Sequence, residues 1–235
     1  MFLRLIVLFF FLFSISMAEA NEKLKQQADS LFSNQKYTEA FELYEKVFLD
    51  GAYSESMLLR MAFIKDGLGN YVDALYYLDL YYKLSADKSA VTKIEEISSD
   101  NRLQGYQYDD TNFFKAILKK FTIEFQLALL SISLLLTAYI YRKRKQQERP
   151  TTATVFQVLV LMGLLFLTNS TFEVKYGIIS QNNTLLRSGP SAGADPIEMI
   201  EKGHKVVILE QNPVWTKIKW SGEEVFLRNG KIKII

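Results

Sequence analysis

The chain has 235 residues, of which 49% are hydrophobic and 23% charged, with 28 Lys and Arg against 26 Asp and Glu for a formal charge of +2, and no cysteine. The near-neutral balance argues against nucleic acid as a partner, and the absence of thiols excludes disulfides, thiolate metal sites, cysteine nucleophiles and a lipidated lipobox cysteine. Apolar residues come in blocks, acidic residues crowd into 22–110 and basic ones into 142–149, so the chain reads as segments of different chemistry.

Residues 1–20 read as a signal peptide: Arg4, an apolar run from Leu5 to Phe13, and Ala18-Glu19-Ala20, whose small side chains suit a signal peptidase cutting before Asn21. An uncleaved anchor is the alternative. Either one delivers Asn21 across the membrane.

Residues 21–100 contain no proline and show dense helical patterning. Leu24 and Leu58, Ala28 and Ala62, Tyr37 and Tyr71, and Ala40 and Ala74 are each 34 residues apart. Small side chains at the alanine positions let paired helices approach closely, and the tyrosines suit the turn between them. On the stretches ADSLFSNQKYTEAFELY (Ala28 to Tyr44) and AFIKDGLGNYVDALYYL (Ala62 to Leu78), the segment resembles the tetratricopeptide repeat family. It departs from the family pattern at Gln35, where a turn glycine is usual, at Leu78, where an aromatic is usual, and in lacking a closing proline. The resemblance implies two helix pairs capped by a further helix near Lys88 to Ser98. It also implies that the first helix of each pair lines a groove presenting Lys25, Asp29, Phe32, Leu59, Phe63 and Asp66 to a peptide or protein segment. Phe32 and Phe63 serve equally well as plain core residues.

Residues 101–120 read as a linker, with Gly105, Tyr106, Tyr108 and Asp109, followed by an interfacial amphipathic helix. That helix sets Phe113, Phe114, Ile117 and Leu118 against Lys115, Lys119 and Lys120. Residues 121–141 and 152–170 are long and apolar enough for two transmembrane helices, with 142–151 as a basic loop between them. Glu124, near one end of the first span, suits a headgroup position better than a proton relay, because no second ionisable residue accompanies it. The Arg142-Lys143-Arg144-Lys145 cluster places the loop in the cytoplasm by the positive-inside rule. That agrees with export of Asn21 and sets both flanking segments outside.

Residues 172–235 switch to short strand-like runs, Val174 to Ile179, Thr184 to Leu186, Lys205 to Leu209, Trp215 to Trp220, Val225 to Arg228 and Lys231 to Ile235. Thr216, Ile218 and Trp220 alternate with Lys217 and Lys219, as a half-buried strand requires. On Asn183-Thr184-Leu185-Leu186-Arg187-Ser188-Gly189-Pro190, Glu201-Lys202-Gly203 and Val214-Trp215-Thr216-Lys217-Ile218, the segment is similar to bacterial SH3-like domains, which implies an all-β barrel. Phe226 stands where that family usually has a tryptophan. The resemblance implies binding of cell-wall peptides or proteins, with Trp215 and Trp220 as stacking surfaces and Arg187 as a carboxylate fork. A turn-bracing arginine and two core tryptophans are the alternative.

The single histidine, His204, reads as a surface residue at a strand start, and no nucleophile and base pair, zinc site, P-loop or dinucleotide fingerprint is present in the sequence. No cofactor is expected and no enzymatic activity. The order of signal, repeats, two spans and terminal β-domain resembles BatE-type proteins of bacterial aerotolerance operons. That resemblance implies a two-pass adaptor in the cytoplasmic (inner) membrane, its soluble parts extracytoplasmic, working beside other Bat-type membrane proteins. Peptidoglycan is the alternative partner and membrane lipid the solvent of its spans.

Overall fold

The computed structural model describes residues 20–169 and 174–235, so the expected signal segment lies outside the described residues except for its last position. The protein combines helices with a seven-stranded antiparallel sheet and divides into two compact units. The first comprises the chain up to Tyr82, Asp87–Gln107 and Tyr176–Ile235, and the second Lys83–Ala86 and Tyr108–Lys175.

The first unit opens with five helices: α1 (residues 20–33), α2 (Tyr37–Leu49), α3 (Glu55–Gly67), α4 (Tyr71–Ser85) and α5 (Lys88–Asp100). The internal period of 34 reaches the backbone. Gln35 N–H donates to the Phe32 carbonyl and Lys36 N–H to that of Leu31, and 34 residues on Gly69 N–H donates to Asp66 and Asn70 N–H to Lys65. Both turns pass through the left-handed region, at φ +60° for Gln35 and +71° for Gly69, so a non-glycine occupies a conformation that glycine adopts without penalty. Ala28, Ala40 and Ala74 are fully buried and Ala62 nearly so, at the points where larger side chains would hold helices apart. Ser54 caps α3 by accepting from Met57 N–H, and Asp87 caps α5 by accepting from Ser89 N–H.

The sheet runs β1 (Lys175–Ile179), β2 (Thr184–Arg187), β3 (Pro196–Ile200), β4 (Lys205–Gln211), β5 (Trp215–Trp220), β6 (Glu223–Arg228) and β7 (Ile232–Ile234). Its spatial order is β3-β2-β6-β5-β4-β1-β7. Ile179, Leu186, Ile200, Val206, Ile208, Ile218, Trp220, Val225, Leu227 and Ile232 form its core. Six strands fall on the runs expected from the sequence. β3 does not, because it is an edge strand whose first four residues are exposed and which buries only Ile200, leaving no alternation to read.

The second unit holds α6 (Asp110–Lys120), α7 (Thr122–Lys145) and α8 (Thr151–Asn169). The latter two, of 24 and 19 residues, are long and apolar enough to cross a membrane, and only 6% of either apolar window is buried. At 1.5 Å per residue they span roughly 36 and 28 Å, which brackets the hydrocarbon thickness. Gln157 of α8 donates to the Ser133 hydroxyl at 2.8 Å and that of Thr137 at 3.3 Å on α7, and Gly163 brings α8 against Leu129. Such polar and small contacts hold helices together where lipid removes the hydrophobic drive. Glu124 lies exposed in the first turn of α7, where the helix dipole favours a carboxylate.

Candidate interaction site

The face shared by α1 and α3 is built around a charged triad. Asp29 accepts from the Tyr44 hydroxyl at 2.6 Å and from the Arg60 guanidinium, which also reaches the Tyr44 oxygen at 3.2 Å. Burial above all, then the bond to Asp29, pushes the Tyr44 phenol up to about 12. The Arg60 guanidinium also lies 5.3 Å from the centre of the Phe32 ring. Phe32, Tyr37 and Phe63 meet edge to face with centroids 5.3 to 5.8 Å apart, a geometry worth about 0.5–1.5 kcal/mol per pair.

Of the six groove residues expected from the sequence, Asp29, Phe32 and Phe63 meet through the triad and ring cluster, and Leu59 lies four residues before Phe63, on the same face of α3. Phe63 and Leu59 remain 56% and 44% exposed. Lys25 instead pairs with Glu22 at 3.5 Å, and Asp66 pairs with Lys93 of α5 at 3.1 Å. Asp66 and Lys93 line a shallow cleft of about 320 Å³ shared with Tyr71 and Asn101.

The expected sheet residues are occupied within the sheet. Arg187 donates to the Ala194 carbonyl at 2.7 Å, bracing the β2–β3 connection. Trp220 is buried, its indole N–H donating to Glu198 at 2.7 Å, and Trp215 is buried with the Arg228 guanidinium 5.7 Å from its ring centre.

A third arrangement is not legible as a motif. α4 turns Tyr71, Asp73, Tyr76 and Asp79 toward three lysines of the sheet region. Lys205 pairs with Asp79 at 2.7 Å with both side chains almost fully buried. Lys233 pairs with Asp73, which Lys65 also reaches at 3.7 Å, and lies 5.4 Å from the Tyr76 ring centre. Lys202 stands 5.4 Å from the ring centre of Tyr71, and Lys205 4.9 Å from that of Tyr176. The helical array and the sheet are thus joined by acidic and aromatic residues of α4 against Lys202, Lys205 and Lys233. His204, expected at the surface, is half-buried here and meets Trp220 edge to face at 5.2 Å, because residues 103–106 cover it. Burial holds its imidazole below the ordinary value against the opposing fields of Glu198 and Glu201.

No family model, curated protein or solved structure matches this chain. Among the described residues no group of three His, Asp or Glu is placed to hold a metal ion. The α1/α3 face offers apolar anchors beside charges that are already paired, an arrangement suited to capturing a segment of another chain.

Proposed function

We propose that this chain is a non-enzymatic adaptor of a bacterial envelope complex, of the BatE type, anchored in the cytoplasmic membrane by α7 and α8. In this reading α1–α5 are tetratricopeptide-like, the sheet is SH3-like, and both stand outside the cytoplasm. The observation that carries it is the buried Asp79–Lys205 pair, which links a residue before the two apolar helices to one after them. A chain that leaves a folded body, enters the bilayer and returns to the same body must cross an even number of times, and α7 and α8 supply two. Arg142, Lys143, Arg144 and Lys145 at the end of α7 favour the cytoplasm for the turn.

Within that frame the exposed Leu59 and Phe63 anchor a partner protein, and the neutralised Arg60–Asp29 pair beside them keeps the face from repelling an apolar segment. The wall-binding alternative has thinner support, because Trp215, Trp220 and Arg187 already have partners inside the sheet. The test is affinity isolation from mild detergent of the full chain and of a Leu59→Asp, Phe63→Asp variant. Loss of co-purifying membrane proteins with helicity intact supports capture by this face; an unchanged set of partners rejects it.

A further inference from the structure

Residues 103–106, which follow α5, are stitched to residues 203–205 at the entry to β4. Gln104 N–H donates to His204 Nδ1 at 3.1 Å, Lys205 N–H donates to the Gln104 carbonyl at 3.0 Å, and the Tyr106 hydroxyl donates to the Gly203 carbonyl at 2.7 Å. The fit is close. A Cβ on Gly203 would stand 2.9 Å from carbons of Leu103 and Tyr71, and one on Gly105 would overlap the Lys205 carbonyl. Only one of the three bonds has an acceptor that titrates near neutrality. A backbone N–H can only donate, so Nδ1 presents its lone pair and the imidazole is neutral, with its proton on Nε2.

We propose that His204 makes this strap acid-sensitive, holding the Gln104 amide N–H against the sheet while the imidazole is neutral and releasing that N–H when Nδ1 takes a proton. A proton arriving at Nδ1 bonds to the same lone pair that accepted from Gln104, so two donors then face each other across the former bond. That loss is confined to one of the strap's three bonds, since the Lys205–Gln104 and Tyr106–Gly203 bonds keep their partners.

The charged groups around His204 set the direction of the effect. Glu198 of β3 and Glu201 of the turn before β4 favour the cation, and desolvation opposes it more strongly. Lys202 and Lys205 flank His204 in the chain and add positive charge. On the helical side, Asp79 is engaged by Lys205, and the strap itself carries Tyr106, whose burial raises its phenol far out of the physiological range. The β5 neighbour is the neutral Trp220. Because the folded-state imidazole lies below its unfolded value, the strap's contribution is present above the ordinary imidazole range, near pH 6.5, and is lost as the pH falls beneath it.

Amide hydrogen exchange on the full chain in detergent micelles tests the proposal, following a peptide that contains Gln104 and correcting for the intrinsic pH dependence of exchange. From about pH 7.5 to about pH 5.5, protection should fall roughly threefold to tenfold, the worth of one hydrogen bond. In His204→Asn, whose side-chain carbonyl accepts without titrating, protection should be flat over the same range. In Glu201→Gln, the midpoint should move to lower pH. Unchanged protection in the wild-type chain, or the same acid loss in His204→Asn, overturns the proposal; should His204→Asn not fold, an unshifted Glu201→Gln midpoint does so.

Discussion

Asp79 of α4 and Lys205 of β4, 126 residues apart, form a 2.7 Å ion pair whose side chains are 2% and 7% exposed. Removing one member of such a pair strands a buried charge and costs about 3–5 kcal/mol, whereas replacing both with apolar residues is often close to neutral. Lys205→Met should therefore destabilise the chain strongly, and adding Asp79→Leu should recover much of the loss. Urea denaturation of the single and double variants in detergent measures both. Additive losses would mean the two residues do not act as a pair.

The strap predicts a contrast between two glycines with similar backbones. Gly105 at φ +91° faces the Lys205 carbonyl, whereas Gly51 at φ +79° has nothing within 4 Å of an added Cβ. Gly51→Ala should cost only the left-handed conformation, about 1 kcal/mol. Gly105→Ala should cost that plus the displacement of the strap, roughly 2–4 kcal/mol in all. Equal shifts in melting temperature would contradict the close fit.

The repeated turn makes a prediction of opposite sign. Gln35 holds φ +60° where the second repeat uses Gly69, and its side chain is exposed. Gln35→Gly should relieve the left-handed penalty at little packing cost and raise stability by up to about 1 kcal/mol. A loss in a urea titration would show that the glutamine side chain makes a compensating contact.

Tyr44 supplies a pH dependence. Its folded-state value is raised from 10.0 to about 12, so its contribution is complete below the unfolded value and is lost as the pH rises through about 12. Between about pH 9.5 and about pH 11.5 the wild-type chain should lose more stability than Tyr44→Phe, which has no phenol to ionise. Parallel losses would mean that Tyr44 titrates like an exposed tyrosine.

What the sequence made legible was whatever depends on local periodicity. The 34-residue spacing of Ala28, Ala40, Ala62 and Ala74 identifies positions that are buried, and the alternation through Thr216, Ile218 and Trp220 identifies a strand. Local pattern sets Tyr106 in a connecting segment and His204 at the surface, whereas Tyr106 is buried and His204 half-buried, each in contact with a partner about a hundred residues away. No local pattern marks such a contact. Lys205 was invisible for a related reason, since lysine is ordinarily exposed and only its pairing with Asp79 allows burial. Of the expected groove, Asp29 and Phe32 share a face of α1 by helical spacing, and Phe63 of α3 meets Phe32 across the packed helices. Lys25 and Asp66 found closer charges in Glu22 and Lys93, which repeat spacing does not weigh.

The measurement that bears most directly on the account is the side of the membrane on which each segment lies. The sequence has no cysteine, so single cysteines report cleanly. Ser30→Cys on α1, Gln146→Cys in the turn after α7 and Lys219→Cys on β5 are exposed positions, to be labelled in spheroplasts with a membrane-impermeant maleimide. The account predicts that the first and third label in intact spheroplasts and the second only after lysis. Labelling of Ser30→Cys and Lys219→Cys on opposite sides, or of Gln146→Cys from outside, would contradict it.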